Sequence, residues 1–162
     1  MRFSLRTSLA CTVVLLTTSV VADDAALRRQ AAAGLKKACR FFDEVVSAEG
    51  GYLWRYSEDL AVREGEGKAN ATTVWVQPPG TPTVGTALLD AYKATGDDFH
   101  LDAARRTGHC LVRGQLRSGG WDYRIVFDEK ERARRAYRVD RPLEGKSQGN
   151  TSTLDDDTTQ AA

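Results

Sequence analysis

The sequence predicts an all-α fold built from antiparallel helix hairpins with long loops at one end. Apolar residues recur at helical spacing in three segments, and a double-glycine turn with aromatic and arginine residues occurs twice. The composition of the 162 residues, 41% hydrophobic and 28% charged, suits one globular domain. With 23 basic and 22 acidic residues, the chain lacks the positive excess of a general nucleic-acid binder, so we expect no nucleic-acid partner.

Residues 1–22 have the pattern of a secretory signal peptide. Arg2 and Arg6 precede an uncharged apolar run over 9–21. Val20-Val21-Ala22, at the end of this run, supplies small residues where a signal peptidase would cut. A membrane anchor is the alternative, but the run is shorter than the roughly 20 apolar residues of a spanning helix. We expect a secreted or periplasmic protein without stable membrane insertion after cleavage. The remaining part, residues 23–162, is then nearly neutral.

The first predicted helix of the mature chain is amphipathic and ends near Ser47. Its apolar positions recur at helical spacing and are expected to face a core. They are Leu27, Ala31, Leu35, Ala38, Phe42 and Val45. Gly50-Gly51 then breaks the pattern, and no sustained period appears before Thr81. Such a long loop often carries function.

A helix hairpin is predicted after this loop. Apolar spacing predicts a helix over 82–95 that Gly96 ends, and Asp97 or Asp98 can cap the next helix. The short link makes the two helices antiparallel neighbours. The inward stripe of the second helix is expected to comprise Leu101, Ala104, Gly108, Leu111, Val112 and Gln115.

The double-glycine turn indicates an internal repeat. The segments 50–56 and 119–124 each follow a predicted helix and precede a polar loop and a threonine-containing helix start, at 81–84 and 157–160. The predicted unit is a helix pair of about 70 residues. Because the chain reaches Ala162 only a few residues into another predicted helix, we interpret it as a fragment of a larger array.

Three consecutive carboxylates, Asp155, Asp156 and Asp157, lie between a polar loop and a predicted helix start. Calcium would offset their repulsion, since it binds carboxylate and carbonyl oxygens. The alternative is that one aspartate caps the helix and the others favour its positive end.

Aromatic and basic residues near the glycine turns are candidates for substrate contact. Aromatic faces can stack on sugar rings, and arginines can pair with carboxylates. These candidates are Trp54, Arg55, Trp121 and Arg124. The alternative for both tryptophans is that they plug the ends of the helix bundle. Lys68, in a charged loop that lacks the phosphate-binding pattern, is a further candidate for an acidic ligand.

The remaining chemistry-bearing residues support no specific site. The segment 129–146 holds seven basic and four acidic residues and could attract a polyanion, although such a run is more often a solvated face. His100 and His109 do not share a helical face. Cys39 and Cys110 could form a disulfide or pack as small apolar residues.

The glycine turns and the closing aspartates resemble those of the pectate lyases of polysaccharide lyase family ten. The matching pieces occur in the family's order over most of the mature chain. They are Gly50-Gly51-Tyr52, Gly80-Thr81-Pro82-Thr83, Ala94-Thr95-Gly96-Asp97, Gln115 with Gly119-Gly120-Trp121, and Thr153-Leu154-Asp155-Asp156-Asp157. The resemblance implies that residues 23–162 are the N-terminal part of an α/α-toroid lyase-like domain, that is, a partial α/α toroid.

The resemblance also implies calcium-assisted β-elimination on polygalacturonate or a related acidic polysaccharide. Asp156 resembles the family's acidic residue that holds calcium and the uronate, with Asp157 beside it. Two departures stand out: Pro78-Pro79 occupies the place of an Asp-Asn pair, and Asp122-Tyr123 replaces Pro-Gln. The family's arginine base would lie beyond Ala162, so no catalytic residue is assigned.

Two other functions remain open. A noncatalytic helical-repeat module could bind carbohydrate or protein through the same loops, and Pro78-Pro79 favours it. A terpenoid-handling toroid is less favoured, because its acidic motif would face an apolar cavity and the loops here are charged.

Overall fold

The computed structural model describes residues 13–145 and 147–162, with side chains from residue 24 onward. Part of the predicted signal peptide, residues 1–12, and Lys146 of the basic segment lie outside the described residues. The chain divides into two compact units, Met1–Lys37 and Ala38–Ala162. Within the described residues, no helix has the length and apolar character required to cross a membrane.

The predicted all-α fold, a partial α/α toroid, is wrong. Among the described residues, the loops between the helices also form two small antiparallel sheets of two strands each. The first loop contains β1 Arg55–Tyr56, β2 Arg63–Glu64 and β3 Thr73–Trp75, and the second contains β4 Arg124–Val126. Long buried loops must satisfy their backbone polar groups, and strand pairing does so here.

The sheet of β3 and β4 joins the two loops. Val74 pairs with Ile125 and Trp75 pairs with Arg124, in antiparallel register. All three β3 residues are buried. The β-branched and aromatic residues of β3 suit a strand. Three residues are too few, however, to show the alternating hydrophobic pattern of a strand in the sequence.

The first helix exists, but two residues of its predicted stripe stay exposed. Helix α1 spans Val13–Phe41, and a π-helical turn, Phe42–Val46, follows it before Ser47 becomes extended. The predicted end near Ser47 is therefore confirmed. Within Ala38–Ala162, Phe42 and Val45 remain exposed, contrary to the prediction that they face a core.

The helix hairpin is confirmed with small changes in its bounds. Helix α2 spans Thr81–Thr95 and ends at Gly96 in the left-handed conformation, and α3 spans Asp98–Gly114. The side chain of Asp97 caps α3 by accepting the Phe99 N–H at 3.1 Å.

The predicted buried stripe of α3 is shifted by part of a turn. Gly108 and Val112 are exposed, whereas His100 and Thr107 are buried. An apolar pattern could not identify this face because two of its residues are polar.

The core lies between α3 and the sheet of β3 and β4. Its main cluster consists of Val74, Val76, Cys110, Leu111, Leu116, Ile125, Val126 and Tyr137. A smaller cluster contains Leu88, Ala103 and Ala104 with Cys39 beside it. Cys39 and Cys110 are both free thiols and belong to different clusters, so they are packed residues rather than a disulfide. Burial raises the pKa of Cys110 to about 12.

Three short elements complete the second loop and its end. They are α4 Glu129–Arg132, a 3-10 turn Asp155–Asp157, and α5 Thr158–Ala161.

Candidate functional site at the acidic turn

The two double-glycine turns have matching backbone geometry. Gly50 and Gly119 both have positive φ, 83° and 101°, a region that favours glycine. The second glycine of each pair is tightly packed. A Cβ on Gly51 would lie 2.7 Å from Cys110 Sγ, and one on Gly120 would lie 2.6 Å from Ser152 Oγ. Each pair therefore needs glycine at both positions.

A threonine hydroxyl holds each turn from the start of the following helix. Thr81 Oγ1 accepts the Tyr52 N–H at 2.9 Å and donates to the Tyr52 carbonyl at 3.2 Å. Thr159 Oγ1 makes the same two bonds with Trp121, at 3.1 and 3.3 Å. The predicted repeat of glycine turn and threonine helix start is thus confirmed in its local geometry.

Backbone bonds give the register between the two loops. The Trp75 N–H donates to the Tyr52 carbonyl at 2.8 Å, and the Thr153 N–H donates to the Trp121 carbonyl at 2.7 Å. Trp75 lies six residues before Thr81, as Thr153 lies six before Thr159. Gln77 is therefore the equivalent of Asp155 in the repeat.

We call residues Asp155, Asp156 and Asp157 the acidic turn. All three are exposed, and Asp156 and Asp157 have positive φ, 49° and 56°. Asp155 Oδ1 accepts the Asp156 N–H at 3.1 Å. Asp157 precedes α5, yet its side chain makes no capping bond. Helix capping by a side chain of the acidic turn is therefore absent among the described residues.

Two polar side chains from distant parts of the chain contact the acidic turn. Tyr123 donates its hydroxyl to Asp155 Oδ2 at 3.1 Å. Gln77 donates its amide Nε2–H to Asp156 Oδ2 at 2.8 Å. The acidic turn thus lies beside the loop that follows each glycine turn.

Negative charge concentrates around Tyr123. The hydrogen bond to Asp155 raises the pKa of this phenol, and the charges of Asp155, Asp156 and Glu66 raise it further. Within the part of the chain that the structure describes, no carboxylate of the acidic turn forms an ion pair. A cation would relieve this local repulsion.

Gln77 connects the acidic turn to buried Trp75 and half-buried Trp54. Its Oε1 accepts the indole N–H of Trp75 at 3.1 Å, and its backbone carbonyl accepts the indole N–H of Trp54 at 3.0 Å. The two indoles meet edge to face, with ring centroids 6.0 Å apart. Gly65 also lies against Trp75, because a Cβ there would fall 2.1 Å from its ring.

Comparisons with protein-family models, curated proteins and solved structures found no match to this chain.

The donor chemistry of the acidic turn fits calcium, although its protein ligands are few. Carboxylate oxygens are the ligands that this cation prefers, and Asp156 Oδ1 accepts no hydrogen bond from the described residues. Among residues 13–145 and 147–162, however, no group of three or more acidic, histidine or cysteine side chains is arranged to hold a metal. Calcium here would need further oxygens from water and from a bound uronate.

Trp54 and Arg55 line an apolar groove of about 710 Å³. Phe41, Phe42 and Pro79 also line it. Arg55 is occupied by an ion pair with Glu64 at 3.0 Å. Trp54 is half-buried, so part of its ring remains available to a ligand in the groove.

Trp121, Arg124 and Lys68 occupy different environments. Trp121 is half-buried against the core, and its indole N–H donates to the Leu111 carbonyl at 2.8 Å. This hydrogen bond favours the alternative in which Trp121 packs at the end of the helix bundle over the one in which it stacks on a sugar ring. Arg124 and Lys68 are exposed, and neither side chain forms a hydrogen bond or ion pair with the described residues.

The basic segment is partly structural rather than a free cationic face. Arg132 pairs with Asp140 at 2.7 Å and lies over the Tyr137 ring at 4.3 Å. Arg135 pairs with Asp122. Arg134 and Arg138 remain exposed.

Sequence reasoning missed Gln77 as a residue of the site and did not predict that Tyr123 contacts the acidic turn. Gln77 belongs to no recognisable motif, whereas Tyr123 lies in the repeated turn segment 119–124. Each contact joins residues far apart in the chain. The internal repeat held one usable signal, since aligning Thr81 with Thr159 places Gln77 at the position of Asp155.

Proposed function

We propose that the acidic turn binds an acidic polysaccharide through a bridging calcium ion, and that the protein is a lyase acting on polygalacturonate or a related polymer. The observation that carries the proposal is that Asp155 and Asp156 are exposed together and are held by Tyr123 and Gln77. Uncompensated carboxylates would repel a polyuronate directly, whereas a divalent cation can bind both.

The surroundings of the acidic turn suit a saccharide. Gln77 links the turn to Trp54, whose half-buried ring lines the apolar groove. Exposed Arg124 follows Tyr123 in the chain and could pair with a uronate carboxylate. Lys68 offers a second exposed cation from the loop that holds Glu66. Substrate contact thus rests on Trp54, Arg124 and Lys68 more than on Trp121 and Arg55, which have other partners.

The proposed reaction is β-elimination, as the family resemblance implies. Removal of the proton α to a uronate carboxylate develops enolate charge, and the glycosidic oxygen then leaves. Bound calcium would supply the positive charge that stabilises this enolate. Asp155 and Asp156 would hold the cation, while the hydrogen bonds from Tyr123 and Gln77 orient the two carboxylates. The proton-abstracting base remains unassigned.

Incubation with polygalacturonate and calcium tests this function. A lyase produces an unsaturated uronide, so ultraviolet absorbance should rise, and chelation of calcium should stop the rise. Asp156→Asn should reduce the rate, whereas Asp90→Asn on the exposed surface of α2 should not. No absorbance increase with any uronic polymer would contradict the lyase activity.

A noncatalytic carbohydrate-binding module is the second candidate. The scarcity of protein ligands at the acidic turn favours it, because Asp155 Oδ2 and Asp156 Oδ2 are already hydrogen-bonded. Binding of oligogalacturonate without product, unaffected by a chelator, would establish this function instead.

A further inference from the structure

Two exposed arginines, Arg117 and Arg138, lie on one face of the chain beside the second glycine turn. Their neighbours Leu116 and Tyr137 form an antiparallel bridge, and both are only 1% exposed. The backbone N–H groups of the two arginines close this bridge on either side, with hydrogen bonds of 2.9 and 2.7 Å. Because side chains alternate between faces, the arginines lie opposite the buried pair as diagonal neighbours, roughly 7–8 Å apart. We call Arg117 and Arg138 the arginine pair.

A glutamine amide orients each guanidinium of the arginine pair. Arg138 Nη1 donates to Gln115 Oε1 at 3.3 Å, and Arg117 Nη1 donates to Gln148 Oε1 at 3.5 Å. The nitrogen of each amide donates instead to backbone carbonyls, at 2.8–3.0 Å. An amide nitrogen can only donate, so these bonds turn both amide oxygens towards the arginines.

The partners of the arginine pair hold the two positive charges without neutralising them. Arg117 Nη2 donates to the backbone carbonyl of Asp140 at 2.5 Å, whereas the carboxylate of Asp140 pairs with Arg132 at 2.7 Å. Neither guanidinium of the arginine pair forms an ion pair within the part of the chain that the structure describes. Two like charges are thus held close together at the surface, and a bound anion would offset their repulsion.

We propose that the arginine pair binds carboxylates of an acidic polysaccharide directly, without a bridging cation. The choice of polymer rests on the proposed function, in which the acidic turn binds the same class of chain through calcium. A planar guanidinium pairs bidentately with a carboxylate, and a polyuronate carries one carboxylate on each uronate unit. The nearly equal numbers of basic and acidic residues, 23 and 22, favour a polysaccharide over a nucleic acid.

The expected contribution of the arginine pair is an addition to calcium-dependent binding. Exposed ion pairs are individually weak, and salt screens them. The arginine pair alone therefore gives salt-sensitive attachment to a polymer, and saturable binding of an oligosaccharide still requires calcium.

Two binding measurements test the proposal on the variant Arg117→Gln/Arg138→Gln. The first is retention on immobilised polygalacturonate at low ionic strength with a chelator present, which removes any contribution of calcium at the acidic turn. The second is isothermal titration of oligogalacturonate with calcium present. Arg28→Gln/Arg105→Gln is the matched control. It removes the same net charge from two exposed arginines that already pair with aspartates of their own helices, at 2.9 and 2.8 Å.

In the chelator, we expect the wild type and the control to be retained and the arginine-pair variant to elute at a lower salt concentration. With calcium, this variant should bind oligogalacturonate at least about fivefold more weakly, and the control should stay within about twofold of the wild type. Oligogalacturonate added to the chelated wild type should shift the Nε–H resonances of Arg117 and Arg138 but not that of Arg105. A merely structural role of the arginine pair would not produce these shifts.

Equal elution of the arginine-pair variant and the wild type would overturn the proposal. Equal losses in this variant and the control would also overturn it, because they would show an effect of net charge alone. Tighter retention on immobilised duplex DNA than on polygalacturonate, lost in the variant, would assign the arginine pair to nucleic acid instead. If calcium adds no affinity to the wild type while retention is still lost in the variant, the calcium site of the acidic turn is rejected and the arginine pair is supported.

Discussion

Replacing Thr81 with valine should destabilise the protein by about 2 kcal/mol. Valine preserves the volume of threonine but removes both hydrogen bonds to Tyr52. The Tyr52 carbonyl still accepts the Trp75 N–H, but the Tyr52 N–H loses its only acceptor among the described residues. Tyr52 and Thr81 are no more than 1% exposed, so water cannot replace that acceptor. An unsatisfied buried donor costs about 1–3 kcal/mol.

The equivalent replacement in the second repeat should cost less. Thr159 and Trp121 are half-buried, so water can bind the Trp121 N–H once the threonine hydroxyl is removed. Thr159→Val should therefore lower the free energy of unfolding by about 1 kcal/mol or less. Urea unfolding followed by tryptophan fluorescence measures both changes. Thr83→Val, at an exposed position of α2, is the control and should stay within about 0.5 kcal/mol of the wild type.

In thermal unfolding, Thr81→Val should lower Tm by about 4–8 °C for a chain of this size. A Thr81→Val protein as stable as the Thr83→Val control would refute the role of this hydroxyl. A larger loss from Thr159→Val than from Thr81→Val would refute the argument from burial.

Two further changes test the packing of the turns and the buried phenols. Gly120→Ala should lower the free energy of unfolding by about 1–3 kcal/mol, because the added Cβ would clash with Ser152 and Thr159. Gly67→Ala is the control and should cost less, since the space around Gly67 is open. Equal urea midpoints for the two variants would contradict this. Burial raises the pKa values of Tyr52 and Tyr137. The neutral phenols therefore stabilise the fold below the ordinary tyrosine pKa of about 10. This contribution is lost as the pH rises towards the higher pKa values of the folded protein. Urea midpoints should therefore fall between pH 9 and pH 11, and a constant midpoint would contradict the burial of both phenols.

Local signals in the sequence predicted the helix hairpin and the turns correctly. Gly96 and Asp97 act through their own backbone conformation and capping bond, which neighbouring residues determine. Gly50 and Gly119 adopt the positive φ that glycine permits, which is consistent with the turns that the double glycines indicated. Features set within one turn of chain can be read from the residues that form them.

The strands and the inward faces could not be predicted in the same way. Strand β3 has three residues, too few for a period, and it depends on pairing with β4 about 50 residues away. The buried face of α3 includes His100 and Thr107, which a search for apolar residues excludes. An all-α fold was predicted because the helices were visible in the pattern and the strand pairing was not.

The candidate site divides along the same line. Asp155 and Asp156 were identifiable because three adjacent carboxylates are unusual. The contacts that Gln77 and Tyr123 make with them were not predictable, since they join residues 79 and 32 positions apart. Trp54 and Trp121 looked equivalent in the sequence. They differ in the fold because the Trp121 indole N–H donates a hydrogen bond to Leu111 of α3, whereas the Trp54 ring lines the apolar groove.

Isothermal titration of oligogalacturonate in the presence and absence of calcium tests whether the acidic turn binds saccharide through the cation. We expect saturable binding that requires calcium. It should be lost or weakened at least about tenfold in Asp156→Asn and should persist in Asp90→Asn. Asparagine tolerates the left-handed conformation of position 156, so this variant should retain the fold. Equal binding by the wild type and Asp156→Asn, or binding indifferent to calcium, would contradict the claim that the acidic turn holds the saccharide through a divalent cation.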